Sequence, residues 1–176
     1  MPSPVIRPAT AADLPAITAI YQLAVRDGLA SWEYEPPDEA EMRRRYEAIV
    51  AGGYPYLVAE AGSRILGYAY ASAYRTRPGY RFTVENSVYV AVDAQRSGAG
   101  KALLAALIEA CTARGFRQMI AVIGDAGNAA SIGLHRSQGF THCGTIQAIG
   151  WKHGRWLDSI IMQRALGYGD RQPPPT

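Results

Sequence analysis

Apolar residues recur along this chain with two spacings, and the points where the spacing changes divide it into elements. Residues 4–7 form a short strand candidate. Thr10 then caps a helix, with Asp13 placed to return the hydrogen bond, and Leu14, Ile17, Ile20, Tyr21, Ala24 and Val25 make one apolar stripe up to Gly28. Asp38 and Glu41 repeat the capping pattern ahead of Met42, Tyr46, Ile49 and Val50, which predicts a second helix ending at Gly52-Gly53. Residues 55–61 and 64–75 read as strands around a Gly62-Ser63 turn, and a loop rich in Arg, Pro and Gly follows at 75–81. The β-branched run 82–92 is a strand. A helix over 98–114 carries Leu103, Leu104, Leu107, Ile108 and Cys111 at helical spacing and stops at Gly115. Residues 117–124 are a further strand, Asn128 opens a short helix that Gly139 closes, and two strands at 140–151 and 155–165 flank Lys152-His153-Gly154.

The order is βααβββαβαββ. A helix crossing between the strand ending at Val92 and the strand starting near Arg117 makes that pair parallel, while the hairpins are antiparallel. The expected fold class is therefore α+β: a mixed, mostly antiparallel sheet with helices on both faces. At 176 residues, with neither an internal repeat nor a linker, one domain over 1–166 is expected, with 167–176 as a disordered tail ending in three prolines.

Composition narrows the class. Apolar residues make up 48% and charged residues 19%, as in ordinary globular chains. A net charge of +3 spread along the chain does not favour a nucleic-acid partner. No apolar run approaches the roughly 18 residues that crossing a bilayer needs, so no membrane partner is expected and the protein is placed in the cytoplasm. His135, His142 and His153 fall on unlike elements, so no metal site is expected, and Cys111 and Cys143 read as buried free thiols.

The chemistry concentrates at Val88-Tyr89-Val90-Ala91-Val92-Asp93-Ala94-Gln95-Arg96-Ser97-Gly98-Ala99-Gly100-Lys101. A strand running through a glycine-rich turn into a helix start brings unpaired amides and the positive helix end together, which suits a phosphate. Gly98 and Gly100 let backbone approach a ligand, and Arg96 and Lys101 add charge. A Walker A loop would need glycine at Gln95 and Ser or Thr at Ala102; a dinucleotide fingerprint would need glycine at Leu103. Neither fits.

The remaining pattern, Gln95-Arg96-x-Gly98-x-Gly100-Lys101 after a strand, resembles the pyrophosphate loop of the GNAT superfamily of acyl-CoA-dependent N-acetyltransferases. Three stretches extend the resemblance over roughly residues 4–165: Phe82 to Val90 with Glu85 inside the strand, Asn128 to His135 followed by Gly139-Phe140, and the closing hairpin Gly150 to Asp158. Together they look like the phosphinothricin and methionine sulfone/sulfoximine N-acetyltransferase branch. The resemblance implies the GNAT three-layer fold, acetyl-CoA as co-substrate without a metal, a small amino-acid-like amine as acceptor, direct transfer, and a homodimer.

Carried onto this chain, it places Val88, Tyr89 and Val90 along the acetyl-pantetheine arm. It puts Arg96, Ser97, Gly98, Ala99, Gly100 and Lys101 on the pyrophosphate, with Asn128 and Ser131 near the cofactor or the reacting centre. It implies Glu85 as the general base and His135 where many members carry a tyrosine acid. Chemistry supports a base, since an amine of pKa near 10 costs roughly 4 kcal/mol to deprotonate at pH 7. The alternative for Glu85 is an exposed strand carboxylate paired with Arg81 or Arg77, and Tyr89, on the same strand face, competes with His135 as the acid. Arg75, Thr76 and Arg77 lie in the loop before this strand. Arginine forks there would match an acceptor carboxylate or phosphinate, and Trp32 would wall the acceptor pocket. Acetylation of another amine or peptide terminus, or acyl-CoA sensing without catalysis, are the competing functions.

Overall fold

The computed structural model describes residues 4–174; the first three residues of the expected domain and the last two of the expected tail lie outside the described residues. Seven strands form one sheet, with the order β1-β2-β3-β4-β5-β7-β6. They are β1 (Val5–Pro8), β2 (Tyr56–Ala61), β3 (Arg64–Ala73), β4 (Thr83–Val90), β5 (Gln118–Gly124), β6 (Thr141–Lys152) and β7 (Arg155–Ala165), and the helices are α1 (Leu14–Asp27), α2 (Glu39–Ala51), α3 (Ala99–Ala113) and α4 (Ala129–Ser137). Among the described residues only β4 and β5 run parallel; the other neighbours are antiparallel. The mixed fold and the crossover read from the sequence are both present.

Alternation along the strands feeds two cores. Tyr56, Val58 and Tyr68 face α1 and α2, meeting Leu14, Ile17, Val25 and Met42. Leu57, Ala59, Ala69, Ala71 and Val84 face the other way, onto Leu103, Leu104, Leu107 and Cys111 of α3. Each fully buried Leu or Ile stabilises by roughly 1.5–3 kcal/mol, so the two layers fix the sheet between them.

The start of α1 differs from the capping expectation in detail. Asp13 does accept from Thr10 N at 2.7 Å, but a 3-10 turn over Ala11–Asp13 precedes the α-helix. The Asp13 carboxylate also takes two hydrogen bonds from Arg7, at 2.8 Å each, and Arg7 reaches on to Glu60 at 2.6 Å. Those bonds tie the helix start to β1 and β2, and Arg7 holds the Asp13 carboxyl down at about 2. At α2 the expected cap is present, Asp38 accepting from Glu41 N at 2.8 Å.

Two expectations are corrected by burial and turn geometry. Cys143 is exposed, because it lies on β6, the outer strand of the sheet, whereas Cys111 is buried on the core face of α3. The strand expected over 82–92 ends at Val90, where a 3-10 turn over Val92–Ala94 begins. Residues 167–174 of the expected tail run in turns against the body of the protein, with Gly169 N donating to Leu166 O at 2.8 Å and Arg117 donating to Pro173 O at 3.0 Å.

Candidate active site

The parallel pair holds the key to the site. β4 and β5 are matched at three positions only, Thr83↔Gln118, Val84↔Met119 and Glu85↔Ile120. Beyond Glu85 they diverge, and a cleft of about 280 Å³ opens in the fork. Because the fork splits the sheet, residues of both strand faces reach the same space: Glu85, Ser87 and Tyr89 from one, Asn86 and Val88 from the other. Asn128, Ser131 and His135 of the α4 segment close one side; Ser31, Trp32 and Glu33 of the α1–α2 loop close the opposite side.

Glu85 is half-buried here, and burial raises its pKa above the ordinary value. Among the described residues it makes no ion pair, so the Arg77 or Arg81 pairing is not what occupies it; Arg81 instead lies over the Phe82 ring at 4.5 Å. His135 is buried, with Nδ1 2.8 Å from Ser131 O, Nε2 2.9 Å from Asn86 Oδ1 and Phe140 edge-on at 5.0 Å. Burial pushes its pKa below the usual histidine value. Asn128 caps α4, its side chain accepting from Ser131 N at 3.1 Å.

Asn86 is the residue that sequence reasoning passed over. Its Nδ2 donates to Ile120 O at 3.0 Å, satisfying the last β5 carbonyl before the strands part, while its Oδ1 meets His135. One buried amide thus finishes the parallel ladder and orients the imidazole.

Tyr89 stands at the inner end of a tyrosine stack, 5.1 Å from Tyr21 and 5.2 Å from Tyr68 between ring centroids. Burial lifts its pKa well above 10, so the phenol keeps its proton. Tyr21 donates to Glu33 at 2.5 Å, and Arg45 holds the same carboxylate at 2.6 and 3.0 Å. That network braces the α1–α2 loop from the α2 side.

At the turn before α3 the backbone takes left-handed conformations at Arg96 (φ 61) and Gly98 (φ 89), and Gly98 caps the helix without a side-chain partner. The first-turn amides of α3 therefore have no intrahelical acceptor; Ala99 N donates to Ser97 Oγ at 3.3 Å, and those of Gly100 and Lys101 lie at the positive helix end. Arg96, Ser97, Gly98 and Lys101 are exposed around them, while Ala99 is buried. Gly100 has a packing role as well, since a Cβ there would lie 3.3 Å from Val90 Cγ2. Arg75, Thr76 and Arg77 are exposed and do not line the cleft; Arg75 rests over the rings of Tyr74 and Tyr80 at 5.2 and 5.7 Å. The lining contains two carboxylates and neither lysine nor arginine. Among the described residues no cluster suits a metal ion, and no helix is long and apolar enough to cross a membrane.

With this geometry in hand, comparison with known proteins gives consistent matches. A model described as the acetyltransferase (GNAT) family matches residues 17–140. A phosphinothricin N-acetyltransferase from Alcaligenes faecalis is 52% identical over 162 residues, covering 92% of this chain and 82% of the relative. An L-methionine sulfoximine/L-methionine sulfone acetyltransferase from Pseudomonas paraeruginosa is 48% identical over 162 residues, covering 92% and 94%. A crystal structure of a phosphinothricin acetyltransferase from Sinorhizobium meliloti in complex with acetyl-CoA superposes with a TM-score of 0.96 at 52% identity, covering 98% of this chain and 94% of that one.

Proposed function

The chain belongs to the acetyltransferase (GNAT) family, and we propose that it moves an acetyl group from acetyl-CoA to the α-amine of a small amino-acid analogue of the phosphinothricin or methionine sulfone type. The observation carrying this reading is the forked cleft, where a half-buried carboxylate, in no ion pair among the described residues, stands on the strand that runs on into an amide-lined turn. The residues present fit the co-substrate. The amides of Gly100 and Lys101 at the head of α3, with the Arg96 and Lys101 side chains beside them, suit a diphosphate, and the free edge of Val88 to Val90 past the fork suits an amide-bearing arm. Asn128 and Ser131 line the opposite wall.

On this reading Glu85 takes the proton from the acceptor ammonium, directly or through water; its raised pKa brings it closer to the amine's. The nitrogen–carbon bond then forms as the carbon–sulfur bond breaks, with no acyl-enzyme. The departing sulfur takes its proton from His135 in its imidazolium form, whose Nε2 is held toward the fork by Asn86; burial disfavours that form, so this route weakens as pH rises. Tyr89 is a second candidate for that step, favoured by a phenol that burial keeps protonated. His135→Ala with an intact Tyr89, set against Tyr89→Phe, separates the two by which loses kcat. Arg75, Thr76 and Arg77, exposed on the loop leading into β4 and outside the cleft lining, are assigned the acceptor carboxylate because arginine forks match it, which places that group at the mouth of the cleft. The exposed apolar residues Ile146, Ile149, Trp151 and Trp156 on the outer hairpin support pairing of two copies, which sedimentation would read.

The direct test is thiol release from acetyl-CoA with methionine sulfone and with phosphinothricin as acceptors. Turnover with either supports the reading. Tight coenzyme binding without turnover on any amine would favour a sensing module instead.

A further inference from the structure

Lys152 is a buried cation that the chemistry above does not use. It is 3% exposed, yet among the described residues no carboxylate forms an ion pair with it. Its ammonium donates to Val25 O at 2.7 Å and to Ser31 O at 2.8 Å. Val25 belongs to the last turn of α1, where carbonyls lack helical partners and the dipole favours a cation. Ser31 belongs to the loop that walls the cleft. A methionine would fill the same space without the cost of burying a charge, so packing alone does not explain a lysine. The two carbonyls do.

The neighbouring residues address the same loop. Tyr34 donates to Trp151 O at 2.6 Å, and His153 Nε2 lies 3.3 Å from Gly28 O. Gly150 sits two residues before Lys152 on the same face of β6. A Cβ on Gly150 would lie 1.9 Å from Trp32 Cζ3, and one on Gly124 would lie 2.4 Å from Leu29 O. The indole is therefore laid flat on bare backbone, and the loop crosses the end of β5 at the same close range.

Building on the acceptor reading above, we propose that Gly150 and Lys152 determine which acceptors fit by seating the Trp32 wall of the cleft, although neither touches the reacting atoms. Gly150 sets the depth to which the indole sinks. Lys152 fixes the height of the loop that carries it. Ordinary contact begins at 3.4 Å, so Gly150→Ala, starting from 1.9 Å, makes the ring withdraw by about 1.5 Å.

The test is steady-state kinetics on Gly150→Ala, Lys152→Met, Trp32→Ala and the Gly150→Ala/Trp32→Ala pair, with methionine sulfone and alanine as long and short acceptors. Gly150→Ala and Lys152→Met should raise the methionine sulfone KM by about tenfold while the acetyl-CoA KM stays within about twofold. The Gly150→Ala effect on acceptor preference should vanish in the Trp32→Ala background, where nothing remains to be displaced. A Gly150→Ala effect that persists there, or parallel rises in both KM values, overturns the proposal. Amide exchange over residues 29–33 is read on the same proteins without any substrate, so a wild type inactive on amino-acid analogues would defeat the functional reading alone. The proposal expects faster exchange in this segment for Lys152→Met; unchanged exchange overturns it.

Discussion

Asn86→Asp gives a direct measure of how the site holds its histidine. Both ring nitrogens of His135 face acceptors, Ser131 O at 2.8 Å and Asn86 Oδ1 at 2.9 Å. A neutral imidazole carries one hydrogen and can serve only one of them. Turning the Asn86 amide over would offer Nε2 a donor, but it would set an oxygen against Ile120 O, 3.0 Å from the present nitrogen. Only the imidazolium satisfies all three contacts, while burial works against its charge. A carboxylate at position 86 places a full negative charge at that 2.9 Å distance, and it also sets its second oxygen against Ile120 O, a pH-independent loss of stability that the titration does not read. An opposite charge this close raises a pKa by roughly 1–3 units, about 1.4–4 kcal/mol in favour of the imidazolium. The assay is an NMR titration of the imidazole hydrogens; the chain has three histidines, and His135→Gln identifies the signal. In the wild type His135 should titrate below 6.5, and in the Asn86→Asp variant above it. A raised folded-state pKa gives stability that is present below about 6.5 and lost as pH rises through the folded value, so this variant should weaken relative to wild type on the alkaline side. A pKa for His135 that stays put or falls would refute the hydrogen-bond accounting.

Three other outcomes follow from the same contacts. Glu85→Gln should lower kcat by about a hundredfold or more, and in the wild type the acidic limb of kcat/KM should lie above pH 4.5, as burial of Glu85 requires; activity within a few-fold of wild type would remove it as the base. Asp13, held at about 2 chiefly by the Arg7 hydrogen bonds, contributes roughly 2 kcal/mol that is fully present above pH 3.8 and lost as pH falls toward 2. Asp13→Asn should therefore lower Tm by about 4–8 °C at neutral pH and flatten the acid limb of stability, which thermal melts between pH 2 and 7 would read. Gly98→Ala introduces no clash within 4 Å but forces a Cβ into a left-handed residue, costing about 1 kcal/mol; acetyl-CoA KM should rise severalfold with the acceptor KM unchanged, and equal rises would contradict a diphosphate role for that turn.

The elements were legible because each carries its own local signal: the Asp38 cap, the Leu103-Leu104-Leu107 stripe, the glycine at 115. The parallel crossover followed from one helix between two strands. Glu85, His135 and Asn128 come from the family resemblance, and the structure brings all three to one cleft. What stayed hidden depends on partners remote in sequence. Asn86 looks like one more strand residue until Ile120 and His135 are laid beside it. Lys152 read as a turn residue, because nothing near it in sequence tells of the carbonyls of Val25 and Ser31. Nothing in the sequence around Cys143 tells of its exposure, because strand order is not local: the same residue on an inner strand would be covered. Arg75 and Arg77 were placed at the acceptor by adjacency to β4, while their side chains stand outside the cleft wall.

Since only three matched positions join β4 to β5, the sheet consists of two leaves hinged at Glu85, and whatever lodges in the fork bridges them. Coenzyme bound there would serve as mortar as well as reactant. At a hundred times its Kd, such a ligand adds about 2.7 kcal/mol to the folded state. The melting temperature of this enzyme should then track the acetyl-CoA supply, making its lifetime in a cell depend on the same metabolite that drives its reaction.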